Sequence, residues 1–182
     1  MKEQKMRYVA LFRGINVGGK NRIKMQELKE LFIELGFTDV RSYIQSGNIL
    51  FTTDRQLTDF SAEVEAAFEK RFDFFVPILY RTKAEMIGVR DRLPFTQEKV
   101  AEVEKKDPKI SHLYVYFSAD QLIQQELSAL GEWAVVAEKD IYYLAEQSIR
   151  FSKLTTKINQ LSKGLTARNW KTVTRLIALL EE

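Results

Sequence analysis

Between Phe12 and Met25 the chain reads FRGINVGGKNRIKM: three glycines, two asparagines and the cations Arg13, Lys20, Arg22 and Lys24, with no acid among them. Residues of these types hold anions. Glycine lets backbone N–H groups approach a ligand, asparagine orients it, and lysine and arginine supply charge. Gly14 to Asn21 is one residue short of a P-loop, whose last position carries a hydroxyl for magnesium; Asn21 stands there instead. Helical spacing starts only at Met25, and an antiparallel hairpin follows rather than the parallel crossover that P-loop proteins need. ATP hydrolysis is therefore not expected. Two readings stand: a generic anion or nucleotide site, or a long loop that needs glycine for positive φ.

A second unusual stretch is LTARNWKTVTRL, residues 165–176. Asn169 has the type and position of an N-cap, Thr172 stands three residues on, and Trp170 can anchor the final helix. A helix N-terminus beside Arg168 is a ready anion site. From Gln147 to Leu180 there is no acid, while Arg150, Lys153, Lys157, Lys163, Arg168, Lys171 and Arg175 are basic. Ser152 and Lys153 are adjacent, so a Ser-x-x-Lys nucleophile does not apply. If the two basic segments meet, they make an anion-attracting surface.

Other chemistries are excluded by composition. The 182 residues include no cysteine, which removes disulfides, thiolate zinc sites and cysteine nucleophiles. The one histidine, His112, rules against a histidine-rich metal site or a Ser-His-Asp triad and reads as a plain strand residue. No metal is expected, and the cofactor is left unknown. Hydrophobic content of 45% and charged content of 29% suit a globular protein with its own core. No apolar run approaches the ~20 residues of a membrane span, and the start lacks the apolar core of a signal peptide. The expectation is a cytoplasmic protein with no membrane partner.

The elements that must position these residues are legible from periodicity. Residues 7–13 alternate on two apolar faces, so this strand should be central and covered on both sides. Met25, Leu28, Leu31, Phe32 and Leu35 fall at helical spacing, and Gly36 stops the helix. Residues 40–45 and 49–53 read as strands around a two-residue Gly47-Asn48 turn. Leu57, Phe60, Val64, Ala67 and Phe68 make a second helix. Residues 74–80 read as a strand that Pro77 confines to a sheet edge. The order βαββαβ is the ferredoxin-like unit.

After a bridge of two helices broken at Pro94, the pattern is expected to repeat. Strands are read at 110–118, 133–137 and 141–145, a helix at 120–130, another around Leu154, Ile158 and Leu161, a short strand at 164–168 and a terminal helix. The expected fold is α+β: two ferredoxin-like (α-β plait) halves packed together, with a helical bridge and an extra C-terminal helix. The divisions are residues 1–81, 82–109 and 110–182. Tyr8, Phe12, Tyr43, Tyr114 and Tyr116 are expected on the open sheet faces. The strand at 48–53, NILFTT, lacks the basic and aromatic signature of an RNA-recognition motif, so base reading through that face is not expected.

The stretches RYVALFRGINVGGKNRIKM, LGFTDVRSYIQSGNILF, SKL and TARNWKTVTRL resemble the bacterial domain of unknown function 1697 family. That resemblance implies two plait halves and no assigned activity. It maps motif positions onto Arg13, Gly14, Asn16, Gly18, Gly19, Lys24, Ser46, Gly47, Asn48, Ser152, Lys153, Arg168, Asn169, Trp170 and Thr172. The chain departs from the family at residues 148–151, where a glycine-rich lead is usual, and at Lys171, where asparagine is usual.

The functional expectation is a small anionic or phosphate-bearing ligand held between the glycine loop and the RNW motif. Arg13, Lys20, Lys24, Lys153 and Arg168 supply charge in that expectation. Asn16, Ser46, Asn48, Ser152, Asn169 and Thr172 give orientation, and Gly18 and Gly19 allow close approach. No general base is singled out, so an enzymatic role is left open. The alternatives are electrostatic, non-sequence-specific nucleic-acid binding by the basic run, and a structural or protein-interaction domain with no small ligand.

Overall fold

The computed structural model describes residues 4–182. Nine strands and six α-helices lie among them, and the fold is mixed α+β with two antiparallel sheets. The chain divides into two compact units. One comprises the chain up to Glu85 together with Leu176–Glu182; the other is Met86–Arg175.

The first unit contains β1 (Met6–Phe12), α1 (Met25–Glu34), β2 (Thr38–Ser42), β3 (Asn48–Thr53), α2 (Leu57–Phe72) and β4 (Ile78–Thr82). Its sheet has the order β2-β3-β1-β4, with every neighbour antiparallel. Tyr8, Ala10 and Phe12 of β1 join Phe51 of β3 in one apolar cluster with Leu28 and Phe32 of α1 and Phe60, Val64 and Phe68 of α2. Val9 and Leu11, on the other face of β1, are also fully buried. Central placement and two-sided covering of this strand thus hold. Each large side chain so buried contributes about 1.5–3 kcal/mol.

α1 stops as glycine allows. Gly36 has φ +90°, Gly36 N–H donates to Ile33 O and Phe37 N–H donates to Phe32 O, the two bonds of a Schellman ending. Pro77 lies just before β4, which is an edge strand as expected, though it begins later than residue 74.

Two expectations are corrected here. Gly47-Asn48 is not a two-residue turn. Asn48 already belongs to β3, and the loop spans residues 44–47, closed by Tyr43 N–H donating to Asn48 O at 3.0 Å. Ile44 (φ +51°) and Gly47 (φ +89°) both take left-handed backbone, so one glycine alone does not make the reversal. Tyr8 and Phe12 do not lie on an open sheet face. They face the helices, where Tyr8 stacks on Phe51 at 5.6 Å and Phe12 meets Phe68 at 5.5 Å.

The remaining elements are α3 (Lys83–Asp91), α4 (Gln97–Glu104), β5 (Leu113–Phe117), β6 (Gln125–Ala129), β7 (Glu132–Ala137), β8 (Asp140–Ala145), a 3-10 turn (Ile149–Phe151), α5 (Thr155–Gln160), β9 (Thr166–Asn169) and α6 (Trp170–Glu181). The second sheet has the order β6-β7-β8-β5-β9. No helix stands at 120–130, so the repeat of βαββα(β) expected of this half does not hold. β6 alternates instead, Leu127 and Ala129 toward the core and Glu126 and Ser128 outward, paired along β7. Ala, Gln, Glu and Leu favour helix locally, but the ladder to β7 and the burial of one face override that preference. Tyr114 and Tyr116 likewise pack toward Leu154 and Ile158, and are not on an open face.

At the C-terminal end of α6, Arg7 Nη1 donates to Leu180 O at 2.8 Å and Arg41 pairs with Glu182 at 2.5 Å. The last turn of α6 has no basic residue of its own, so β1 and β2 provide the cations that its carbonyl end attracts. No helix of the described residues is long and apolar enough to cross a membrane.

Candidate functional site

The glycine loop is a small hairpin. Gly18 (φ +59°) and Gly19 (φ +73°) are its two central residues, and Lys20 N–H donates to Val17 O at 3.1 Å. Positive φ at both positions is a type I′ turn, which glycine adopts without strain. The glycines therefore serve the turn first. Asn16 and Asn21, also left-handed, lash the base of the loop. Asn16 N–H donates to Asn21 O, and Asn21 Nδ2 donates to Gly14 O at 3.0 Å.

The Asn16 side chain is the hub. Its Oδ1 accepts from Ile23 N–H at 2.8 Å and its Nδ2 donates to Gln45 O at 2.9 Å. One amide so joins the glycine loop to the β2–β3 loop. Asn48, fully buried, braces the β2–β3 loop from within: its Nδ2 donates to Tyr43 O at 2.9 Å and to Ser46 Oγ at 3.2 Å. Gly47 fits between Phe12 and Ile15, where a Cβ would come within 2.7 Å of Phe12 Cβ.

These two loops and the start of α1 border an open depression of about 550 Å³. Arg22 and Lys24 bring positive charge to its wall, Asn16 and Gln45 amides, Gly19 bare backbone, Phe72 an apolar surface and Glu27 one carboxylate. Lys24 is the N-cap of α1 but makes no capping bond with its side chain, so the first-turn N–H groups face no side-chain acceptor there. Of the expected residues, Asn16, Gly19 and Lys24 line the depression. Gly18 and Lys20 form its neighbouring turn, and Ser46 and Asn48 support the adjoining loop from inside. Arg13 is exposed at the end of β1, with its N–H donating to Pro77 O. Arg22, Gln45, Glu27 and Phe72 are additions. Arg22 was visible as part of the acid-free loop; Gln45 and Phe72 come from other segments and left no local signal.

Several expected residues of the second unit have hydrogen-bond partners within the fold. Ser152 donates its hydroxyl to the buried carboxylate of Glu132, which also accepts from Tyr143 Oη at 2.6 Å and from Lys153 N–H at 2.9 Å. Ser152 Oγ in turn accepts from Leu154 and Thr155 N–H, each at 3.1 Å, and so opens α5. Burial would raise the Glu132 pKa, but the bonds from Ser152, Tyr143 and the backbone outweigh it and hold the carboxyl below its ordinary value. Burial, then this bond, pushes the Tyr143 phenol upward.

Asn169 Oδ1 accepts from Thr172 N–H at 2.9 Å, so it caps α6 as expected. Thr172 is buried. Arg168 is buried in β9 opposite Val115, with Nη1 donating to Ala167 O at 2.9 Å; burial lowers its pKa to about 10, which leaves it cationic at neutral pH. Lys153 is exposed. His112 is buried, with its ring nitrogens 2.7 Å from Ala145 O and 2.7 Å from Asp107 O. Among the described residues no group of three or more Asp, Glu or His side chains is arranged to hold a metal ion.

The family model described as "Protein of unknown function (DUF1697)" matches residues 6–149 of the chain. The match ends before Ser152-Lys153 and the RNW motif. No curated protein matches. Among solved structures, that of the conserved bacterial protein SP0830 from Streptococcus pneumoniae is similar, with 24% identity and a TM-score of 0.72, covering 97% of this chain and 99% of that one. At such identity the likeness shows the fold alone.

Proposed function

We propose, for a chain that belongs to the DUF1697 family of proteins of unknown function, that the depression beside α1 binds a small anionic ligand. The observation that carries this reading is the convergence of Arg22, Lys24, Asn16 and Gln45 on one open space at a helix start. The positive end of the α1 dipole adds to the two cations, and its uncapped N–H groups are donors for oxyanions. Phe72 offers a ring to an apolar or planar portion of the ligand, as on a nucleotide or an aryl phosphate. Glu27 sets polarity: it repels the anionic end and accepts from hydroxyl or amino groups beyond it. The reading takes the first unit, with its β2-β3-β1-β4 order and both helices on one sheet face, as a ferredoxin-like half.

The test is a thermal-shift and calorimetric titration with inorganic phosphate, AMP and phenyl phosphate. Wild type should bind the phosphate esters more tightly than phosphate itself. Arg22→Ala and Lys24→Ala should each weaken binding about tenfold or more, the worth of one charge-assisted contact. No stabilisation by any of the three, or equal binding in both variants, would defeat the reading.

A second reading has one supporting observation. Of the seven cations between residues 147 and 180, only Arg168 is buried; Arg150, Lys153, Lys157, Lys163, Lys171 and Arg175 face solvent with no acid in that stretch. Such a run suits non-sequence-specific binding of a nucleic-acid backbone, and its mark is affinity for oligo(dT) that falls steeply with salt.

A further inference from the structure

A second cavity lies within the second unit, and none of its lining residues borders the depression beside α1. It holds about 350 Å³, and both the last residue of α4, Glu104, and the first residues of α6, Trp170 and Lys171, line it. Ile110 and Leu113 give it an apolar floor. His112 is in the floor too, but its two nitrogens are already taken by the Ala145 and Asp107 carbonyls.

Three polar groups remain. Among the described residues, the Glu104 carboxylate, the Lys171 ammonium and the Trp170 indole N–H have no side-chain partner. Glu104 and Lys171 have opposite charge and line one cavity, yet form no ion pair with each other. Both also stand at the unfavourable end of their helix. Glu104 is the last residue of α4, at the negative end of its dipole, with Lys105 and Lys106 following it but not lining the cavity; Lys171 is in the first turn of α6, at the positive end, where there is no acid. The two side chains give the cavity one negative and one positive pole.

We propose that this cavity binds a small zwitterion of the amino-acid class with an apolar side chain. Its ammonium pairs with Glu104 at the end of α4 and gains from the indole face of Trp170. Its carboxylate pairs with Lys171 and the Trp170 N–H at the start of α6. Its side chain lies on Ile110 and Leu113. A ligand carrying both charges relieves both helix ends together, whereas a simple anion or cation relieves one and is repelled by the other.

The experiment is a titration of the full-length, nitrogen-15-labelled protein with L-leucine, leucinamide and N-acetyl-leucine, following the Trp170 indole N–H signal, assigned by a Trp133→Phe variant. L-leucine should shift that signal saturably. Leucinamide and N-acetyl-leucine, each missing one charge, should bind about tenfold more weakly or less. Lys171→Ala should weaken L-leucine and N-acetyl-leucine but not leucinamide, Glu104→Gln should weaken L-leucine and leucinamide but not N-acetyl-leucine, and Lys171→Arg should retain binding. Both residues are exposed, and unchanged melting temperatures will show that the variants fold. No saturable shift with L-leucine up to about 20 mM, a range that reaches even very weak binding, overturns the proposal. So does equal binding of the three compounds, or indifference to both substitutions. Phosphate binding at the depression beside α1 is read separately and is unaffected by either result.

Discussion

Glu132 and Ser152 are 20 positions apart in the chain and share a hydrogen bond in the second unit, with Tyr143 as a third member. The carboxylate is buried, charged and satisfied by hydroxyl and backbone donors rather than by a cation. Removing its charge leaves those donors with a weaker acceptor, so Glu132→Gln should cost about 2 kcal/mol in urea unfolding, within the range for hydrogen bonds to charged groups. Ser152→Ala should cost less, about 1 kcal/mol, because the Tyr143 and backbone bonds survive.

The same carboxylate predicts a pH dependence. Its folded pKa lies below the ordinary 4.5, so the unfolded chain takes up the proton first. Its stabilisation is complete above the ordinary value and is lost as pH falls through the lower folded value. Wild type should therefore lose melting temperature faster than Glu132→Gln on acidification below about pH 4.5. Parallel curves for the two proteins would remove this role.

Three glycines separate space from backbone conformation. Gly47 needs both: φ is +89°, and a Cβ would come within 2.5 Å of Ile15 Cδ1 and 2.7 Å of Phe12 Cβ. Gly47→Ala should cost about 3 kcal/mol or more, from strain and overpacking together. Gly18 needs only its φ of +59°, with nothing within 4 Å, so Gly18→Ala should cost about 1–2 kcal/mol. Gly164 needs neither, and Gly164→Ala should be neutral or stabilising by up to about 1 kcal/mol.

Asn16→Ala strips the link between the glycine loop and Gln45 and leaves the half-buried Ile23 N–H without its acceptor. It should cost about 1–3 kcal/mol and also weaken phosphate-ester binding, because Arg22 and Lys24 flank the freed segment. Asn16→Asp keeps the acceptor for Ile23 but loses the donor to Gln45. It should recover part of the stability while weakening anion binding further through its charge.

Asn169 caps α6 through its bond from Thr172 N–H. Asn169→Ala should cost about 1 kcal/mol and Asn169→Asp close to nothing, as read by thermal unfolding. An effect of Asn169→Asp on stability as large as that of Asn169→Ala would contradict the capping role.

The first unit was legible because local pattern and burial agree there. β1 shows period two and is buried on both faces; α1 and α2 show helical spacing and bury that stripe. Residues 120–130 misled because their types favour helix while their pairing partner, β7, contributes the deciding energy from outside the window. The glycine loop was legible as a loop, and its turn chemistry fits the positive φ at Gly18 and Gly19. Its hydrogen-bond wiring was not, since Gln45 lies 29 positions from Asn16. Ser152 and Lys153 stood out as a polar and a basic residue in the acid-free stretch. The buried acid that explains Ser152 is on another strand, and single-residue types carry no trace of such a partner.

The pairing of Arg7 with Leu180 and of Arg41 with Glu182 ties residues 176–182 to β1 and β2, all inside the first unit. During synthesis those residues leave the ribosome only after the whole of Met86–Arg175 has been made. The first unit is thus completed only after the second has been made, and any chain interrupted before residue 176 lacks the pieces that Arg7 and Arg41 hold.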